Sequence, residues 1–166
     1  VFCKDTNRPG ISQHTSFDFL GYTFRGRRAR GRRGYFISFA PAMSTTAKKA
    51  VRQKVRHWHL NRRSGTDLSG LADQINPQIR GWFGYYGAFY RSELYSLAWH
   101  IDRHLLRWAM HKFKRLRGKR AQAVAWPDAV RQHQPRLFAQ WYLFAATGAR
   151  PAGAGWREHP HTSVLP

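Results

Sequence analysis

The chain has 166 residues, 42% apolar and 15% aromatic, which suits one folded core and argues against wholesale disorder. Its 29 Lys and Arg outnumber 8 Asp and Glu for a formal charge of +21, a self-repelling balance that a polyanion such as nucleic acid would neutralise. No apolar run nears the ~20 residues of a membrane span, no signal-peptide pattern is visible, and the single Cys3 excludes an internal disulfide or a cysteine-built zinc site.

Taken in chain order, Val1-Phe2-Cys3-Lys4-Asp5 reads as the continuation of a strand whose partners lie upstream, so residues 1–16 are expected to close an earlier domain. Cys3 is expected to be a buried strand residue, not a reactive thiol. Residues 17–24 and 35–39 are rich in aromatic and β-branched side chains and predict two strands of a hairpin spanning 17–43. The Gly- and Arg-rich stretch 25–34 between them predicts a basic loop at the hairpin tip. Six arginines crowd it: Arg25, Arg27, Arg28, Arg30, Arg32 and Arg33. They are candidate phosphate clamps, with a merely solvated tip as the bland alternative.

Pro41 is predicted to end the second strand, and Ser44, Thr45 or Thr46 to cap a helix through about Leu60. Val51, Val55 and Trp58 give it an apolar stripe. Lys48, Lys49, Arg52, Lys54 and Arg56 cover much of the remainder, and Lys48, Lys49, Arg52 and Arg56 are taken as candidate RNA contacts. Asn61 to Gly65 reads as a turn. Thr66 or Asp67 then caps a short helix with Leu68, Leu71, Ala72 and Ile75 on one face, and Asn76-Pro77 is expected to break it. In the following segment Gly81, Gly84 and Gly87 weaken a helix and leave room for a second backbone. Trp82, Phe83, Tyr85 and Tyr86 are read as core in preference to a base-stacking platform, while Asn76 and Arg80 beside them are candidate RNA-backbone contacts.

A long helix is predicted from Ser92 or Glu93 to about Leu116, with Leu94, Leu97, Ala98, Ile101, Leu105 and Trp108 facing the core. Its basic end supplies Lys112, Lys114, Arg115, Arg117, Lys119 and Arg120 as further candidate RNA contacts, and Gly118 stops it. A weaker helix spans Ala121 to Gln132, another follows Pro135, and the tail 148–166 is expected to be flexible. His100 and His104 have the i, i+4 spacing of a metal pair, yet no third ligand is evident. His57 and His59 splay apart on a helix. No nucleophile elbow and no convincing carboxylate pair occurs, so no catalytic residue, no metal and no cofactor is expected in this chain.

Several phrases in order resemble the thumb and maturase-specific region of group II intron-encoded proteins. These are Phe17-Asp-Phe-Leu-Gly-Tyr-Thr-Phe24, Phe39-Ala-Pro-Ala-Met-Ser44, Ile75-Asn-Pro-Gln-Ile-Arg-Gly-Trp82 with Tyr85-Tyr86-Gly87, Arg107-Trp108, Lys112-Phe-Lys-Arg-Leu-Arg-Gly118, and Pro135-Arg-Leu-Phe-Ala-Gln-Trp141. The first five residues resemble the last palm strand of such a protein. The resemblance implies a reverse-transcriptase thumb that tracks a primer–template, joined to a surface that binds intron RNA and aids splicing. The sequence also departs from the family. Its polymerase palm carries a Tyr-x-Asp-Asp metal site, and this chain has no Asp-Asp pair, so it should not polymerise alone. The family often ends in a cysteine-bearing nuclease domain, which a stretch with only Cys3 is not expected to contain, and Gln140 stands where the family is expected to have histidine.

The combined expectation is a mainly α protein: a helical bundle over 44–147 preceded by an N-terminal β-hairpin. The expected function is binding of structured group II intron RNA in aid of splicing, without catalysis in this chain. A primer–template duplex and an upstream palm or fingers domain, in cis or in trans, are further candidate partners, and no membrane is. Two alternatives stand beside it: the C-terminal part of an active RNA-directed DNA polymerase, and a generic basic nucleic-acid-binding module. A cytoplasmic setting is expected, with nucleoid-associated and organellar ones indistinguishable from it.

Overall fold

The computed structural model describes residues 15–32 and 34–145. The proposed palm strand at the start, Arg33 and the tail 148–166 fall outside the described residues, as do the side chains of Arg30 and Arg120. The described residues fold as an antiparallel sheet followed by five α-helices.

The sheet has three strands in the order β1 (Ser16–Phe19), β2 (Tyr22–Gly31) and β3 (Gly34–Met43). The predicted hairpin is present in this sheet, but its basic stretch is mostly strand and not loop: Arg25 to Gly31 pair with Ala40 to Gly34. Three features outweigh its glycines and charges. Tyr35, Phe36 and Ile37 opposite are strong strand formers, arginine stems cover sheet surface while their heads stay wet, and Gly26 leaves the space Ile37 needs. A Cβ there would lie 3.0 Å from Ile37 Cγ2. Pro41 does not end β3 either. It pairs with Phe24 on an edge strand, where a missing N–H is tolerated.

The bundle starts at α1 (Thr45–His57), where Ser44 Oγ accepts the Ala47 N–H at 3.1 Å. Helix α1 ends earlier than predicted, and a 3₁₀ turn, Leu60–Arg62, follows His59 in the left-handed region. Asp67 caps α2 (Leu68–Tyr86) by accepting the Gly70 N–H at 2.9 Å, and that hydrogen bond holds its carboxyl below the usual range.

Helix α2 runs straight through Asn76-Pro77, against the predicted break. An interior proline costs roughly 3 kcal/mol, and here tertiary contacts outweigh it. Leu71, Ala72, Ile75, Ile79 and Phe83 all sink into the core on the same helix.

Helix α3 (Tyr95–Lys112) is shorter than predicted, flanked by 3₁₀ turns at Arg91–Leu94 and Lys114–Leu116. Its predicted face is buried throughout, from Leu94 to Trp108. It packs against α1, α4 (Arg120–His133) and the Leu60–Arg62 turn, while α5 (Ala139–Ala145) packs on α2. The sheet is fastened to this bundle through Tyr22, which is 7% exposed. Its hydroxyl donates to the Tyr85 carbonyl, and its ring lies 5.6 Å from that of Tyr86 and 5.5 Å from that of Phe89.

Candidate nucleic-acid interface

With so few acids, the location of each acid decides which cations are already engaged. Glu93, in the 3₁₀ turn before α3, draws two of the predicted contacts inward. Lys48 is ion-paired with it, and Arg27 lies 3.6 Å from it. Arg27 also donates from Nε to the Ala40 carbonyl at 3.2 Å and sits over the Tyr90 ring. Its side chain is only 9% exposed, and burial, then Arg25, pulls its pKa down while Glu93 and Tyr90 oppose. Arg27 therefore joins sheet to bundle.

The other sheet arginines are placed differently. Arg25, Arg28 and Arg32 are exposed, with the Arg28 guanidinium 4.0 Å from the centroid of the Tyr35 ring. On α1, Lys49 and Arg56 are exposed, and Arg52 is half-buried with a guanidinium nitrogen 3.5 Å from Ser96 Oγ. Arg80 is exposed on α2 and donates from Nε to Tyr142 Oη at 2.9 Å.

Asn76, also a predicted contact, is 6% exposed. Its Nδ2 donates to the Leu137 carbonyl at 2.9 Å and its Oδ1 accepts the Ala139 N–H at 2.8 Å. It fastens α5 to α2, and its amide faces the protein.

The basic end of α3 divides in the same manner. Lys112 Nζ donates to the carbonyls of Ser64 and Thr66 at 2.9 and 2.7 Å, closing the loop before α2. Lys114, Arg115, Arg117 and Lys119 are exposed around the turn at Gly118, whose φ is +76°. Most of the aromatic segment serves packing, since Phe83 is buried and Trp82 stacks on Trp58 at 5.7 Å, but Tyr85 is not core: it is 48% exposed and donates to the Leu20 carbonyl at 2.9 Å. Gly81 and Gly84 are exposed, and a Cβ on either would meet nothing within 4 Å, so among the described residues no chain backbone approaches them closely.

Two features escaped the sequence reading. One is a half-buried carboxylate: Asp102 accepts from Gln140 Nε2 at 2.9 Å and Trp141 Nε1 at 3.0 Å, with Arg131 at 3.4 Å. Burial pushes its pKa up, against the pull of those donors and of Arg131. Gln140, the departure from the family's histidine, is thus a buried donor to that carboxylate. The other feature is the placing of Arg103 and Arg107 beside His100 and His104 on α3. The repeated spacing of four, in Arg52/Arg56 and Arg103/Arg107, was the available signal, since it puts each pair on one helix face. Among the described residues no three His, Cys, Asp or Glu side chains converge as a metal site, and no helix is long and apolar enough to cross a membrane.

Residues 48–126 match the family described as group II intron, maturase-specific domain. No curated protein and no solved structure matches the chain.

Proposed function

We propose, from the match of residues 48–126 to the group II intron maturase-specific domain, that this chain binds structured intron RNA and assists its splicing. The supporting observation is the set of exposed cations on a packed frame: Arg25, Arg28 and Arg32 on the sheet, Lys49 and Arg56 with half-buried Arg52 on α1, Arg80 on α2, and Lys114, Arg115, Arg117 and Lys119 after α3. Arg30, Arg33 and Arg120 belong to the same runs. Together these side chains neutralise phosphates and release counterions. Helices and strands hold them in register, so selectivity follows the shape of the RNA, whose A-form major groove hides base edges. The protein steadies the active RNA fold, and the RNA carries the cutting chemistry.

A second reading treats the chain as the thumb-and-maturase part of a longer reverse transcriptase, with a primer–template duplex and an upstream palm as partners. The bare sheet supports it: Phe17, Phe19 and Ile37 are 40%, 60% and 52% exposed, a surface suited to another folded domain. Catalysis would then lie in that domain, because this chain lacks the adjacent carboxylates polymerisation needs.

The test is a salt titration of the full chain on a folded group II intron RNA, with duplex DNA as competitor. A steep loss of affinity with salt, and a preference for the intron that survives the competitor, is the expected result. Equal affinity for both reduces the chain to a generic polyanion binder.

A further inference from the structure

Helices α1 and α3 pack side by side and present cations from both sides of their seam. Arg52 and Arg56 lie one turn apart on α1, and Arg103 and Arg107 one turn apart on α3. His100 and His104 belong to the same cluster, with ring centroids 4.9 Å apart and planes at 60°. Arg52, Arg56 and Arg103 act electrostatically on His100, and Arg56, Arg103 and Arg107 on His104. Arg103 also lies over the ring of Trp99, 4.8 Å from its centroid.

The nearby acids are committed elsewhere. Glu93 is paired with Lys48 and Arg27, and Asp102 bonds to Gln140 and Trp141 of the last helix. Buried His100 Nε2 has no hydrogen-bond partner among the described residues. A metal cation is a poor occupant beside four guanidinium groups, whereas an anion with several acceptor oxygens suits the charges.

We propose that the α1–α3 seam, around Arg52, Arg56, Arg103, Arg107, His100 and His104, is a binding site for the RNA phosphodiester backbone, and that its occupation adds a proton to the histidine pair. This rests on the RNA-binding reading above and assigns to it a site of its own. In the free protein burial, then His104 and the three arginines, hold His100 down at about 4. His104 is lowered by burial first, then by Arg107, Arg103 and Arg56. A phosphate beside the pair reverses the electrostatic part and favours the imidazolium. Binding then takes up a proton, so affinity rises as pH falls.

The experiment measures the full chain against a labelled RNA hairpin at fixed salt between pH 7.5 and 5.5. For one histidine returned to its ordinary range on binding, affinity should rise about tenfold across that interval. His100→Gln with His104→Gln should abolish the rise with falling pH. Arg103→Gln with Arg107→Gln should weaken binding and lower the log–log salt slope by about two. Histidine titration by NMR on the unmodified chain, with and without the hairpin, needs no substitution and should show the His100 midpoint moving up. A pH-independent affinity with an unmoved midpoint overturns the proposal, as does parental binding by the double arginine variant. If that variant binds normally while alanine at Arg25, Arg28 and Arg32 weakens binding, only the seam is wrong. If the chain binds no RNA at any pH, the functional reading itself fails.

Discussion

The sheet and the bundle are both rich in cations and use them differently. On β2, neighbouring arginines have opposite roles: Arg27 is drawn against Glu93 and Tyr90, while Arg28 lies over Tyr35 on an exposed strand. In the bundle both roles occur along the same helices. Lys112 closes a loop and Lys48 meets an acid, but Arg52 and Arg56 of α1 and Arg103 and Arg107 of α3 act on the same pair of histidines. A count of cations is therefore a poor map of a binding surface. Glu93 and a few backbone carbonyls remove particular residues from it.

The largest effect expected concerns the frame. Asp102→Ala leaves the buried donors of Gln140 and Trp141, and the half-buried Arg131, without their acceptor, which should cost about 3 kcal/mol in urea denaturation. Asn76→Ala, which loses two hydrogen bonds to the segment before α5, should cost about 2 kcal/mol by the same measurement. If Asn76→Ala instead kept full stability and lost RNA affinity, the residue would belong with the surface cations and the division between frame and surface would fail.

The sheet supplies the next contrast. Alanine at Arg25, Arg28 and Arg32 together should weaken RNA binding by about tenfold or more and reduce the salt slope by about two to three, with thermal stability unchanged. Arg27→Ala should do the reverse, losing roughly 1 kcal/mol of stability through its carbonyl and Glu93 contacts while the salt slope stays as it was. A slope that moves equally in both variants would erase the distinction between the neighbouring arginines.

A smaller effect separates the seam from the rest of the bundle by pH. His100 is a base whose pKa falls from 6.5 in the unfolded chain to about 4 in the folded one. The unfolded chain takes the proton first, so this stability is present above 6.5 and is lost as pH falls from 6.5 towards 4. Because the pair is partly solvated, a loss of about 1 kcal/mol is the scale to expect after screening. The melting temperature of His100→Gln should fall less between pH 7 and pH 5 than that of the parent. Parallel curves would show that the histidine is not held in its neutral form by the fold.

What could be read from sequence was local. Ser44 and Asp67 cap helices as their side chains suggest, and the stripe from Leu94 to Trp108 is the buried face of α3, because a helix period is visible within one segment. The misreadings depended on partners far along the chain. Arg25 to Gly31 look like a loop until Gly34 to Ala40 are set opposite, and Pro77 looks like a break until the core contacts on either side of it are seen. The candidate surface behaved likewise. Runs of Lys and Arg were visible, but the removal of Asn76, Arg27 and Lys48 into structural roles, and the convergence of Arg103 and Arg107 with Arg52 and Arg56, arise from helix packing.

The smallest prediction concerns the turn that joins β1 to β2 at the bundle surface. Leu20 and Gly21 both have positive φ, 48° and 78°, the pattern of a two-residue hairpin turn that favours asparagine followed by glycine. Leucine is strained there, and at 68% exposure it gains little from burial. An asparagine in its place would keep the backbone carbonyl that accepts from Tyr85, so Leu20→Asn should stabilise the chain by about 0.5 kcal/mol in thermal denaturation without altering RNA affinity. Gly21 admits no such change: a Cβ there would lie 2.9 Å from Tyr86 Oη. A destabilised Leu20→Asn would mean that the leucine side chain, not the turn geometry, holds this corner against the bundle.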